Sequence, residues 1–236
     1  MIKTLNFIGG WITLILAYSL LKSSRPFKIK YSKIENNIYK NLDKNIELPD
    51  KLVNAIIAIE DERYYSHLGV DFYSIFRAIR NSFTKKRKEG ASTISQQLVR
   101  IILNKREIKF TRKINEILLS VFINYKFSKK QLIACYCFIY PFDICSGIFN
   151  LCKLEKIVLN NLTFNEACQI AARFKYPALR KSNYSKYLKR VRIIEIKTTP
   201  NGYKSWRGSV VRYRRILVPS FCPVGLERSP KIRHAS

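Results

Sequence analysis

From Leu5 to Leu21 the chain reads LNFIGGWITLILAYSLL, without a single charge. A run this apolar, close to the ~17–25 residues that cross a bilayer, has to span a membrane or be buried in a core. Trp11 and Tyr18 suit interfacial positions, whereas Asn6, Gly9 and Gly10 dilute the hydropathy. Lys22, Ser23, Ser24 and Arg25 follow without a small-residue cleavage site. The reading is therefore an uncleaved signal-anchor helix over residues 1–22 rather than a removed signal peptide. Lys22, Arg25, Lys28 and Lys30 lie after the span and only Lys3 before it, a bias that favours a cytoplasmic C-terminal side.

Residues 23–48, rich in Lys and Asn, read as a polar linker. Pro49 and Asp50 then open a helix in which Leu52, Val53, Ile56 and Ile57 recur at helical spacing up to Glu60. A second helix starts at Asp71 and carries Phe72, Ile75, Phe76 and Ile79; the basic loop 85–88 follows. A third begins near Ser92–Thr93, with Leu98, Ile101 and Ile102 as its apolar face. Further helical patterns cover 111–126, 129–139 and 163–175. With no alternating strand series, residues 49–196 form a mainly α domain. From Lys197 to Ser236, nine Lys and Arg face Glu227 alone among Pro, Gly and Ser, which reads as a basic, poorly structured tail.

The balance of 44 Lys and Arg against 16 Asp and Glu gives +28. That field attracts polyanions: nucleic acid, anionic headgroups or a phosphorylated substrate. An AT-rich coding bias toward Lys, Ile and Asn also contributes. No recognised nucleic-acid motif accompanies the charge, and the apolar helix opposes such a partner. Six cysteines without a C-x-x-C pair, and only His67 and His234, leave no zinc spacing.

Three clusters carry candidate chemistry. The first, Glu60-Asp61-Glu62-Arg63-Tyr64-Tyr65-Ser66-His67-Leu68-Gly69, ends an apolar helix. A carboxylate among apolar side chains has its ionised form disfavoured, which suits a general base, although an acidic helix end accounts for the pattern as well. In the second, Gly90-Ala91-Ser92-Thr93-Ile94-Ser95-Gln96-Gln97-Leu98, Thr93 and Gln96 fit a capping box. The same helix start is a natural phosphate cradle, to which Arg100 adds a fixed charge. In the third, Arg112-Lys113-Ile114-Asn115-Glu116, the four-residue spacing of Arg112 and Glu116 suits a surface ion pair, or else cations and a carboxylate around a pyrophosphate or its metal. Ser82-Phe83-Thr84-Lys85 matches the S-x-x-K of penicillin-binding transpeptidases, but no S-D-N or K-T-G accompanies it.

In this order the three clusters resemble glycosyltransferase family 51, the domain of monofunctional peptidoglycan transglycosylases and of the N-terminal half of class A penicillin-binding proteins. E-D-x-x-F-x-x-H-x-G is met by Glu60, Asp61, His67 and Gly69, with Tyr64 in place of Phe. G-x-S-T-I-x-Q-Q-L is met from Gly90 to Leu98, and R-K-x-x-E by Arg112, Lys113 and Glu116. Beyond them, K-x-x-I-L-x-x-Y-L-N is represented by Lys129, Leu132, Ile133 and Tyr136, with Phe138 where Asn is usual. Leu162–Ala167 resembles the later L-x-x-x-E-A helix, and Arg190 and Arg192 resemble a final R-R segment.

The resemblance, over roughly 50–195, implies a lysozyme-like helical glycosyltransferase domain behind one transmembrane helix. The domain would sit outside the cytoplasmic (inner) membrane and take lipid II and the growing lipid-linked glycan as substrates. Glu60 would be the general base. Ser92, Gln96 and Gln97 would position the donor, and Arg100, Arg112 and Lys113 would meet its pyrophosphate. Glu116 would hold a divalent cation, Mg2+ or Mn2+, or orient the basic side chains. Asp61, His67, Gly69 and Gly90 would have structural roles. No organic cofactor and no cross-linking activity are expected, and other cell-wall synthesis proteins are possible partners. A catalytically inactive member that binds lipid-linked glycan or scaffolds cell-wall enzymes is the alternative; a lysozyme-type hydrolase would shorten glycans instead.

Overall fold

The computed structural model describes residues 2–42, 47–85, 90–104, 110–143 and 145–199, and among these the chain is helical with no strand. The basic loop at 85–88, past its first residue, and the chain from 200 onward lie outside the described residues. Three helices carry the site: α3 (Asp50–Glu60), α5 (Ile94–Leu103) and α6 (Phe110–Lys126). Each folds because apolar residues recur every three or four positions and bury one stripe. Leu52, Ile56, Leu98, Leu119 and Ile123 are fully buried in one core, joined by Leu132 and Tyr136 of α7 (Lys129–Ile139) and Ile170 of α9 (Phe164–Arg173). Helix α5 packs between α6 and α7, while α3 lies against α9.

Two segments differ from the sequence reading. The stretch assigned to a polar linker contains α2 (Arg25–Leu42), whose Phe27, Tyr31, Ile34 and Ile38 are buried in the main core. Spacings of four, three and four make one apolar stripe, which the intervening Lys and Asn obscure by composition. Likewise the sequence reading has no helix between 175 and the tail, yet α10 (Lys181–Thr198) forms there and buries Tyr187, Val191 and Ile194. Between these, α8 (Ile148–Leu154) begins at Gly147, whose φ of +82° and closeness to the Phe138 carbonyl exclude a side chain. Phe138 is buried and packs on Phe149 of α8, their rings 5.3 Å apart.

The helix α1 (Ile2–Ser23) is long and apolar enough to cross a membrane, by length and composition. It docks along α6, α2 and α4 (Phe72–Lys85). Asn6, fully buried, accepts a hydrogen bond from the Phe72 N–H at 2.8 Å and donates to Asp71 Oδ1 at 3.2 Å, so it caps α4. A Cβ on Gly9 would stand 2.7 Å from the Phe72 ring, and Gly10 lies against Leu68. The residues that dilute the hydropathy are thus those that dock the helix. Its other side leaves Phe7, Ile8, Ile12, Ile15 and Leu16 exposed, and α4 exposes Phe76, Ile79 and Phe83.

Candidate active site

Chain reversal after α3 builds the first half of the site. Asp61 leaves the helix, and its Oδ2 accepts the Ile94 N–H at 3.0 Å, joining the first motif to the start of α5. Asp61 Oδ1 meets Nε2 of His67 at 2.9 Å, both side chains being buried. Gly69 has φ +82°, and a Cβ there would run into the Ser120 carbonyl. Its own carbonyl accepts from the Thr93 hydroxyl at 2.6 Å and from Ser120 at 3.2 Å. A side chain at 69 would therefore separate α6 from the loop it supports.

Lys129 secures the other side of this loop. Its Nζ donates to the His67 carbonyl at 2.8 Å and to Asn124 Oδ1 at 2.7 Å, and lies 4.5 Å from the centre of the Tyr64 ring. Burial pulls its pKa down to about 8. The Tyr64 hydroxyl donates to the Lys129 carbonyl at 2.8 Å, so tyrosine in place of phenylalanine has its buried oxygen satisfied.

Glu60 ends α3 with both carboxylate oxygens engaged. Arg190 Nη2 of α10 meets Oε1 at 2.6 Å, and Gln97 Nε2 donates to Oε2 at 3.2 Å. The Tyr136 hydroxyl in turn donates to Gln97 Oε1 at 2.9 Å. To the apolar neighbours expected beside Glu60 the structure adds an arginine, and Gln97, expected to position the donor, binds the carboxylate itself.

The second cluster lies between α5 and α6. Glu116 is 2% exposed and is gripped by Arg100, Nε to Oε1 and Nη2 to Oε2, each at 3.1 Å. Arg112 Nε lies 3.5 Å and Lys113 Nζ 3.6 Å from the same carboxylate. This is a buried carboxylate under three cations, not the surface pair that the spacing suits. Lys113 Nζ also donates to Gln96 Oε1 at 2.6 Å and to Ser92 Oγ at 3.1 Å. Burial lowers the Lys113 pKa, with Glu116 opposing.

Thr93 accepts the Gln96 N–H at 3.2 Å, but the Gln96 side chain turns to Lys113 rather than back to the helix start, so half of the expected capping box forms. Among the described residues nothing lies within 4 Å of a Cβ at Gly90, which has no left-handed φ; their packing does not require the glycine expected there. Glu116 does not fit a divalent cation, because Arg100 occupies both oxygens and two more cations crowd it. Among the described residues no three His, Cys, Asp or Glu form a metal cluster. Lys129, Tyr136 and Arg190 stand in the weaker motif matches, to which the sequence gives no site role; their contacts with His67, Gln97 and Glu60 exist only in the folded chain.

The chain matches the transglycosylase family over residues 29–198. Penicillin-binding protein 1A of Clostridium tetani is 39% identical over 106 residues, 43% of this chain and 13% of that protein. The protein of that name from Rickettsia bellii is 43% identical over 93 residues, 38% of this chain and 12% of the relative. That of Clostridium perfringens is 31% identical over 183 residues, 69% of this chain and 26% of the relative. The chain thus spans about a quarter or less of the length of these relatives.

Proposed function

We propose a catalytic function on this premise: the chain belongs to the transglycosylase family, whose domain is a lysozyme-like helical fold. The activity is peptidoglycan glycosyl transfer, with lipid II polymerised into glycan strands and undecaprenyl pyrophosphate released. One observation carries it. Neighbouring residues of α5, Gln96 and Gln97, are bonded to Lys113 and to Glu60, so a candidate base and a cation cluster are set by one helix turn.

In the reaction proposed, the acceptor hydroxyl attacks the anomeric carbon of the lipid-linked donor and gives its proton to Glu60. The bond from that carbon to the pyrophosphate oxygen breaks, and the leaving group keeps the electron pair. Arg112 and Lys113, fixed before substrate arrives, offset the charge that grows there. Glu116 holds the basic side chains together and, with Arg100, sets their direction. No step runs through a divalent cation, for which Glu116 is unsuited in this arrangement. The apolar sides of α1 and α4 support a membrane-anchored protein whose cleft stays at headgroup level, and family membership, set against the Lys and Arg bias after α1, favours the outer side of the cytoplasmic membrane.

Polymerisation of labelled lipid II by detergent-solubilised protein, beside Glu60→Gln, tests this reading. Glycan ladders from the wild type that vanish in the variant support it. A folded wild type that makes no product, or that shortens preformed glycan, rejects it.

A further inference from the structure

Arg190 reaches Glu60 from 130 positions away, so its place there is a product of the fold. Helix α10 packs on α3 and α9, burying Tyr187, Val191 and Ile194. Two turns beyond Arg190, Lys197 Nζ donates to the Ala58 carbonyl at 3.2 Å and meets Glu62 Oε2 at 3.1 Å. The register of α10 against the end of α3 is therefore pinned at two points. The guanidinium is largely buried, and its Nε finds no hydrogen-bond partner among the described residues. What it grips is Glu60, at 2.6 Å.

We infer that Arg190 is a positioning residue for glycosyl transfer, acting through Glu60; this rests on the reading of Glu60 as general base. Arg190 holds Oε1 and Gln97 holds Oε2, which fixes the plane of the carboxylate. Each oxygen keeps a second lone pair, and a carboxylate in a set plane presents it to the acceptor hydroxyl in one direction. Gln97 alone leaves the carboxylate able to turn about its last bond.

The test uses the full chain in detergent with labelled lipid II, comparing Arg190→Ala, Arg190→Lys and Glu60→Gln. Arg190→Ala should lower kcat by roughly 10–100-fold with KM nearly unchanged, since loss of aim costs rate rather than binding. Millimolar guanidinium should restore several-fold of that loss, and Arg190→Lys should keep an intermediate kcat. An Arg190→Ala protein with wild-type Tm and wild-type kcat overturns the inference. So does one whose reduced kcat ignores guanidinium. Should Arg190→Ala fail to fold, Arg190→Lys decides: reduced kcat at constant KM supports the positioning role, and a raised KM alone removes it. An active Glu60→Gln rejects the base assignment itself; an inactive one beside a fully active Arg190→Ala rejects only the role of Arg190.

Discussion

Among the described residues, Glu60 keeps 11% of its side chain exposed and meets one cation, Arg190, whereas Glu116 keeps 2% and lies within 3.6 Å of three. Both are glutamates in short motifs, and their spacing does not tell them apart. Around Glu116 the charge is saturated, so the carboxylate acts as a hub that keeps Arg100, Arg112 and Lys113 together against their repulsion. Around Glu60 one oxygen meets a neutral amide and the other a single arginine, which leaves lone pairs for a substrate. The difference teaches that a carboxylate's surroundings, more than its motif, decide whether its oxygens stay open to another group or are closed off by cations.

The largest effect that would sharpen this contrast belongs to Glu60. Glu60→Gln should lower polymerisation by about 100-fold or more with only a modest fall in Tm, since the amide keeps the shape, loses the proposed base and leaves Arg190 without its anionic partner. Full retention of product in a ladder assay would erase the distinction. Next comes the loop that follows Glu60. Gly69→Ala should cost about 3 kcal/mol in denaturant unfolding, because φ is +82° and the Ser120 carbonyl blocks the new Cβ. Gly90→Ala, in open space, should stay within about 0.5 kcal/mol; equal costs at both positions would mean that packing does not distinguish them.

On the other side, Glu116→Gln strands three cations and should cost about 2 kcal/mol as well as activity. The figure lies below that of a fully enclosed pair because Arg100 and Lys113 are 37% and 34% exposed. Unchanged unfolding in urea would count against the hub. The last effect is in pH. The folded chain gives up the Lys129 proton near pH 8, while the unfolded chain keeps it to about 10.5. Between those values the unfolded state binds more protons, so this lysine adds stability as pH rises. Relative to Lys129→Met, the wild type should gain about 2 kcal/mol across that window, after discounting for partial exposure. Parallel stability curves for the two proteins would show that Lys129 is not buried as described.

Helices α3, α5, α6, α7 and α9 were legible in the sequence because their apolar residues recur in dense stripes with clear starts, such as Thr93 and Asp50. Helices α2 and α10 were not, because Lys and Asn dominate their exposed sides and hide the stripe. The candidate site was legible as motifs, yet three contacts were beyond reach: Arg190 on Glu60, Tyr136 on Gln97, and Lys129 under His67. Asn6, Gly9 and Gly10 were visible only as flaws in an apolar run, and docking against Phe72 and Leu68 gives them a purpose.

By itself the sequence determined a mainly helical chain with one apolar helix, the order of its motifs, and the glutamates and cations that carry candidate chemistry. Those are local properties, set by periodicity, capping and residue type over a few turns. The tertiary structure decided which of those groups meet, above all that Glu60 is held by a helix 130 residues away and that Glu116 is enclosed by cations. Contacts of that kind depend on how helices pack in three dimensions, and the spacing of residues along a chain does not encode the distance between two buried side chains on separate helices.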